Sequence, residues 1–333
     1  MSGSLAVVDL SPFGRDSGPS AAADEMARLF DTSCRHTGFV LVAGHGVAAA
    51  TKARMLDRTQ AFFATGTGAK QAIAIGRSSC HRGYVAMASE TLDADASGGD
   101  LKETLDTGNE DPIDHPEVLA GTPLHGANQL PDVDGFVDAF RAYRAEAIGA
   151  AERTMRVMAM ALDLDPEFFL SLGETLYNLR FVHYPPQRAI APVAGQLGCG
   201  AHTDYGSVTV LADDGIGGLQ VMRRDGVWID VLVPDELMVV NLGDLMSIWT
   251  NDRWVSNPHR VVNPPESDRY SMPLFVTPPY RARIAVLPSC VASGESDRYE
   301  PVEAGPYLLS RFDATHSYRN PLLEAHTRSA DPA

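Results

Sequence analysis

Two histidines and one aspartate have the types and the spacing of ligands for a divalent metal ion. His202 and Asp204 are separated by one residue in the segment AHTDY, and His259 follows later in SNPHR. Strand alternation would place His202 and Asp204 on one face, where both could reach a single ion. Two histidines and one carboxylate form the facial triad of non-haem iron sites, which leaves coordination positions open. A solitary His-x-Asp, in contrast, is usually a hydrogen-bonded surface pair.

A second pair of residues makes the metal-site hypothesis more specific. Arg269 and Ser271 follow His259 in the segment RYS, and strand alternation again turns both side chains to one face. The planar guanidinium can bind both oxygens of a carboxylate, with the hydroxyl beside it. The spacing therefore predicts a carboxylate-binding pair near the metal ligands.

Composition excludes several classes of function. The chain has 333 residues, and its formal net charge of -16 repels phosphate backbones, so no nucleic-acid partner is expected. The first residues show no signal peptide, and nowhere do about 18 apolar residues run together, so we expect a cytoplasmic protein with no membrane partner. The four cysteines lie far apart without CxxC spacing, which indicates free thiols.

The chain reads as helices first and strands second. Apolar periodicity predicts helices from Ser20 to Gly38, from Gly46 to Phe63, and from Val133 to Leu162, with a short strand Phe39 to Val42 between the first two. Long loops with short elements are expected from Arg77 to Pro131, partly over a site. After Pro166, apolar runs between turn signals predict the strands Leu179 to Tyr184, Ser207 to Leu211, Leu219 to Met222, Trp228 to Val233, Leu237 to Leu242, Arg260 to Val262, Tyr270 to Val276 and Arg283 to Leu287. A further helix is expected after Pro306, followed by a frayed polar end. This pattern favours a mainly β core with helical cladding.

Together these stretches resemble the 2-oxoglutarate/iron(II) dioxygenases of the isopenicillin N synthase-like family. The matching segments are LRFVHYPP, GAHTDYGSVTVL, GGLQV, WIDV, VVNLGDLMSIWTN, SNPHRVVNP and RYSMPLFVTPP, with VVDLSPF, GFVLVAGHGV and GDLKETLDTG nearer the N-terminus. The resemblance implies a double-stranded β-helix, or jelly roll. Residues 176–290 would form this oxygenase core, residues 1–175 a helical and loop region packed on it, and residues 291–333 a C-terminal extension.

The resemblance also implies roles for individual residues. His202, Asp204 and His259 would hold Fe(II), Arg269 and Ser271 would bind the distal carboxylate of 2-oxoglutarate, and Tyr184 would also reach this co-substrate. With O2 as the second co-substrate, the usual outcome would be hydroxylation of a small organic substrate. Many plant members have Asn two positions before the tyrosine, whereas this chain has Val182. Tyr205 and Phe275 are candidates to line the substrate pocket.

Other motifs have simpler interpretations. GHGVAA, between a strand and a helix, has the form of a dinucleotide fingerprint, but no second βαβ unit and no acidic strand end follow it, so Gly44 and Gly46 are expected to make a tight turn. Cys199, three residues before His202, is interpreted as a packed or partly exposed thiol. Structural roles are expected for a further set of polar and aromatic residues: Asn241, Gly243, Asp244, Trp249 and Asn251.

Two alternatives to the 2-oxoglutarate-dependent hydroxylase stay open from the sequence. A related iron oxidase could use the Arg-x-Ser pair for another carboxylate or anion, without the keto acid. A jelly-roll binding protein could have kept the fold and lost turnover. The substrate, the position oxidised and the oligomeric state are not determined by the sequence.

Overall fold

The computed structural model describes residues 5–15, 17–18, 20–93, 98–190, 192, 195–292, 294–316 and 318–319. Its helices are α1 (Ala21–His36), α2 (Ala49–Phe63), α3 (Thr67–Ala72), α4 (Pro116–Leu119), α5 (Phe136–Ala161), α6 (Asp244–Trp249) and α7 (Ala304–Thr315). The Ser20 hydroxyl accepts a hydrogen bond from the backbone N–H of Ala23, which caps α1 at the predicted start.

The strands form two principal sheets. They are β1 (Val7–Asp9), β2 (Phe39–Ala43), β3 (Gly83–Val85), β4 (Glu103–Asp106), β5 (Leu176–Tyr184), β6 (Cys199–His202), β7 (Val208–Asp213), β8 (Leu219–Met222), β9 (Trp228–Asp230), β10 (Met238–Leu242), β11 (His259–Val261), β12 (Arg269–Thr277), β13 (Arg283–Ile284) and β14 (Val302–Glu303). The large sheet has the order β1-β2-β10-β7-β12-β5-β4-β3, and the smaller one the order β6-β11-β8-β9. Strands β13 and β14 form a separate pair.

Alternation along the central strands divides the large sheet into two chemically different faces. On β5, Leu179 and Phe181 join the main hydrophobic core, whereas Val182 and Tyr184 join a second cluster on the opposite face. That second face is turned toward the smaller sheet, because the same cluster contains Leu219, Val221 and Val261 from β8 and β11. The space between the two sheets is the interior of the jelly roll.

Helix α5 covers the outer face of the large sheet. Its Phe136 and Phe140 rings lie 5.7 and 6.3 Å from the ring of Phe181 on β5, in edge-to-face arrangements. Phe62 at the end of α2 joins this aromatic cluster through Phe136. The helix that the apolar stripe of the sequence predicts is thus a brace for the sheet and leaves the opposite face free for a site.

Most predicted elements are present, with several corrections. The predicted strands at 228–233 and 283–287 end earlier, at Asp230 and Ile284. Strand β6 was not predicted as a separate element, since its sequence CGAH has no apolar alternation. The loop-rich stretch 77–131 contributes β3 and β4 to the large sheet. Helix α7 lies where a helix was expected after Pro306, although it begins at Ala304, and the polar tail beyond residue 319 lies outside the described residues.

Within the described ranges, no helix is both long enough and apolar enough to cross a membrane. All four cysteines are free, as expected, and three of them are buried. Gly44 and Gly46 have φ angles of 59° and 83°, which fits the predicted tight turn after β2.

Replacing Phe181 by Ala should destabilise the fold strongly. The side chain is fully buried between the sheet and α5, so its removal leaves a cavity and should lower the free energy of unfolding by about 3–5 kcal/mol. Urea denaturation measures this change. Leu232→Ala is the control, because Leu232 is 72% exposed, and it should change stability by less than about 0.5 kcal/mol. Equal effects of the two variants would contradict this packing.

Candidate active site

The two predicted histidines and Asp204 lie together at one end of the jelly-roll interior. The Nε2 atoms of His202 and His259 are 3.8 and 3.7 Å from Asp204 Oδ1. The three ligand atoms lie within 4.8 Å of one another. The histidines face each other across the antiparallel pair formed by β6 and β11, where His259 is directly opposite His202. The structure therefore brings together the three side chains that the sequence singled out.

The reason given for the convergence of His202 and Asp204 was wrong. Strand β6 ends at His202, and Asp204 lies in the turn that connects β6 to β7, so strand alternation does not place them on one face. The turn is held instead by backbone contacts: the N–H of Asp244 donates to the carbonyl of Asp204 at 2.8 Å. A Cβ at Gly243 would lie 2.3 Å from the carbonyl oxygen of Gly206, so glycine is required for this close approach.

Backbone carbonyls fix both imidazoles in the tautomer that a metal ligand needs. His202 Nδ1 lies 2.8 Å from the carbonyl oxygen of Gly200, and His259 Nδ1 lies 3.3 Å from that of Asn257. Because a carbonyl only accepts, Nδ1 carries the proton in each ring. Each Nε2 therefore keeps its lone pair, and these lone pairs lie on the side of Asp204 Oδ1.

The two oxygens of Asp204 have different surroundings. Oδ2 accepts hydrogen bonds from Thr209 Oγ1 at 2.5 Å and from Asn241 Nδ2 at 2.6 Å. Thr209 and Asn241 are opposite each other on β7 and β10, with both side chains turned to the interior. These two donors fix the carboxylate and leave Oδ1 as the oxygen that faces both histidines. Asn241, to which the sequence assigned a structural role, thus positions a candidate ligand.

The protonation states suit a cation. Burial alone would raise the pKa of Asp204, but His259, His202 and the two hydrogen bonds to Oδ2 hold it below its ordinary value. Burial, together with His202, lowers the pKa of His259 to about 4, so that ring is neutral near pH 7. One carboxylate and a neutral imidazole with a free lone pair are donors that bind Fe(II).

Arg269 and Ser271 lie on the interior face of β12, as alternation predicted. The Arg269 side chain is buried, and its Nη2 is 3.4 Å from Asp213 Oδ2. Its Nε and Nη1 atoms are buried without a hydrogen-bond partner among the described residues. Buried, unpaired guanidinium N–H groups are costly unless an anion receives them. The structure therefore fits a ligand carboxylate at this position.

Tyr184 is the direct neighbour of Arg269 on β5, and the guanidinium carbon lies 4.9 Å from the centre of its ring. Burial raises the pKa of Tyr184 to about 12, so the phenol keeps its proton and can donate a hydrogen bond. Val182 lies opposite Ser271 and is buried in the interior cluster. At that position the chain offers an apolar surface.

A cavity of about 70 Å³ connects these groups. It is lined by the metal-ligand candidates and by Arg269, Ser271 and Tyr184. A second cavity of about 60 Å³ also borders His202 and Asp204, and both Tyr205 and Phe275 line it. Sequence reasoning missed other residues that line the second cavity, including Asn178, Arg180 and Glu90. Asn178 and Arg180 alternate with core residues on β5, a signal that was available in the sequence.

Cys199 is a packed thiol rather than a ligand candidate. Burial raises the pKa of Cys199 to about 12, so the sulfur stays protonated. Its Sγ is 3.3 Å from Lys102 Nζ and 3.7 Å from His202 Nδ1, which is the nitrogen turned toward a carbonyl and away from the carboxylate. The thiol therefore packs behind the imidazole.

The jelly roll holds two histidines and one carboxylate around a common centre, beside a buried arginine with two nitrogens that have no partner among the described residues. This is the architecture of a non-haem iron oxygenase. Comparison with known proteins assigns the family. Residues 175–278 match the family model of the 2OG-Fe(II) oxygenase superfamily. Residues 5–133 match a second family model, whose description is "non-haem dioxygenase in morphine synthesis N-terminal".

Similar proteins cover nearly the whole chain. The 2-oxoglutarate-Fe(II) type oxidoreductase hxnY of Emericella nidulans is 34% identical over 329 residues, which are 96% of this chain and 93% of the relative. The 2-oxoglutarate-dependent dioxygenase citB of Monascus ruber is 34% identical over 280 residues, with 81% and 84% of the two chains covered.

Solved structures of similar proteins support the same family assignment. A full-length Neurospora crassa protein in complex with alpha-KG superposes with a TM-score of 0.77 at 28% identity, over 92% of this chain and 95% of that one. A 2OG-Fe(II) oxygenase family protein of Caulobacter crescentus has a TM-score of 0.79 at 28% identity, over 93% and 98% of the two chains. This chain belongs to the 2OG-Fe(II) oxygenase superfamily. It is a 2-oxoglutarate-dependent dioxygenase that uses Fe(II).

Replacing Asn241 by Ala should weaken metal binding without unfolding the protein. The variant loses one of the two donors to Asp204 Oδ2, so the carboxylate is held less firmly, and metal affinity should fall about 10- to 100-fold. Titration with Co(II), monitored by its visible spectrum, measures the dissociation constant. Asn128→Ala is the control, because Asn128 also makes two hydrogen bonds, both to Gly108, away from the site. An unchanged affinity in Asn241→Ala would contradict the positioning role.

Proposed function

We propose that His202, Asp204 and His259 hold Fe(II), that Arg269, Ser271 and Tyr184 bind 2-oxoglutarate, and that the enzyme hydroxylates a small organic molecule in specialised metabolism. The observation that carries the proposal is the pair of histidines whose free Nε2 atoms lie within 3.8 Å of one oxygen of Asp204. The unpaired nitrogens of Arg269 support the choice of a dianionic keto acid as the co-substrate.

Relatives support the chemical class of the substrate. The same N. crassa protein has been solved with alpha-KG and thymine, and the clavatol oxidase claD of Penicillium crustosum is named for small-molecule chemistry. The cavity of about 60 Å³ beside His202 and Asp204 accommodates only a small group. A small-molecule substrate is therefore proposed here.

Bound iron would supply the redox chemistry, in which O2 converts 2-oxoglutarate to succinate and CO2 and hydroxylates the substrate, with one oxygen atom in each organic product. The protein's own residues hold the reactants. Arg269 and Ser271 would receive the distal carboxylate, and Tyr184 would donate a further hydrogen bond. The apolar residues around them, such as Val182 and Leu219, keep water from the reacting groups.

The central test is spectroscopic. Anaerobic addition of 2-oxoglutarate to the iron(II) protein should produce a weak visible charge-transfer band, and this band should be absent in His259→Ala because the iron loses one ligand. An iron-loaded protein without the band that still oxidised a substrate would favour the keto-acid-independent oxidase. A protein that bound no iron would favour a jelly-roll binding protein instead.

Arg269→Ala should raise the KM for 2-oxoglutarate about 10- to 100-fold, because the variant removes charge-assisted hydrogen bonds worth about 1.5–3 kcal/mol. Succinate formation at increasing 2-oxoglutarate concentration measures this. Arg156→Ala is a matched control, since Arg156 is also buried but pairs with Glu167 away from the cavity. Equal KM values for Arg269→Ala and the unmodified enzyme would remove Arg269 from the co-substrate site.

A further inference from the structure

The cavity of about 60 Å³, called the substrate cavity below, has a composition that restricts the molecules it can bind. It borders His202 and Asp204, and its lining does not include Arg269. Its other walls come from β5, from β12, from the turn after β6, and from α7. They include Asn178, Arg180, Tyr205, Phe275, Leu308 and Phe312.

The charges at the substrate cavity are already compensated within the protein. Arg180 is the one lysine or arginine that lines it among the described residues. Its guanidinium binds both oxygens of Glu90, at 3.1 and 3.2 Å, and Asp106 at 2.8 Å. Glu90 is also 2.9 Å from Lys102 Nζ. The described residues that line the cavity therefore provide no free cation for a substrate carboxylate and no free carboxylate for an ammonium group. Burying an additional charge there would be costly.

Aromatic side chains form much of the remaining wall. Phe275 on β12 is only partly buried, and the carbon of the Arg180 guanidinium lies 5.7 Å from the centre of its ring. Tyr205 and Phe312 are edge-to-face, with ring centres 6.3 Å apart. Three aromatic rings from three different elements favour a planar guest, which gains stacking and edge contacts.

One polar group in the substrate cavity lacks a partner. Asn178 lies directly opposite Phe275 in the ladder between β5 and β12. The Oδ1 end of its amide is buried and has no hydrogen-bond partner among the described residues. A buried amide without a partner is costly, and an amide presents an acceptor beside donors. Its best complement is a ligand edge that also carries a donor beside an acceptor.

The volume of the substrate cavity bears on the size of the substrate. The cavity volume of about 60 Å³ favours a compact guest with one ring over a larger fused-ring molecule. We propose that the substrate is an uncharged, planar, single-ring heterocycle whose lactam or imide edge hydrogen-bonds to Asn178 and whose ring packs against Phe275. This inference rests on the proposed function, because it assigns the substrate of the same iron site.

The test uses the full-length enzyme loaded anaerobically with Fe(II) and 2-oxoglutarate, so that the visible band reports on the site. Three sets of single-ring compounds are added: lactams and imides (2-pyridone and uracil as probes), ring carboxylates, and rings with neither polar group. The lactams and imides should perturb the band with dissociation constants at least about tenfold lower than those of the other two sets, the effect of one hydrogen bond. Succinate formation in air should follow the same order.

Asn178→Ala should raise the dissociation constant of the best lactam or imide about tenfold, the effect of one lost hydrogen bond, while the 2-oxoglutarate band stays unchanged. Asn109→Ala is the matched control, because this amide binds Thr175 and Arg144 outside the substrate cavity. The inference is overturned if no lactam or imide perturbs the band, if a ring carboxylate binds more tightly, or if Asn178→Ala changes nothing. Loss of the band itself, before any ring is added, would refute the proposed function instead.

Discussion

The period-two alternation of side chains on β5 and β12 is the constraint on which the rest of the structure depends. Phe181 and Leu274 point to the helices, whereas Arg180 and Ser271 point to the interior. A shift of one residue in either strand would bury the interior polar groups against α5 and expose the core. The hydrophobic pattern that stabilises the sheet against the helices therefore also directs the polar residues into the site. Stability and function are specified by the same register.

The metal-ligand candidates depend on that frame but are not part of the alternation. His202 and His259 are fixed by pairing of β6 with β11, and Asp204 by a turn that contacts the N-terminus of α6. The buried carboxylate is kept charged by its surroundings, with Asn241 and Thr209 as donors to its second oxygen. Ligands placed on separate elements converge because the two sheets are close, which is a property of the tertiary fold.

The sequence was sufficient for the residues whose environment is local. Apolar periodicity located α1, α2 and α5, and the RYS segment located a true alternating pair on β12. It was insufficient where long-range packing decides. Strand β6 has no apolar alternation, and β4 is stabilised by pairing with β5 and β3 by pairing with β4. The orientation of Asp204 depends on Asn241, 37 positions away. The convergence of the three ligand candidates was predicted correctly because the chain resembles known family members. The local argument from strand alternation gave the wrong reason for it.

Two buried arginines on neighbouring strands differ in how far their charge is compensated by carboxylates, and this difference bears on which reactant each can bind. Arg269 is beside one carboxylate and keeps two nitrogens without partners among the described residues, whereas Arg180 is bonded to two carboxylates. The unpaired nitrogens of Arg269 favour an anionic ligand, whereas Arg180 lines both cavities with its charge already compensated. With the co-substrate bound at Arg269 as proposed, the cavity lined by Asn178 and Tyr205 would be left to an uncharged reactant. Selectivity between the two reactants would then follow from where the protein has already neutralised its own charge.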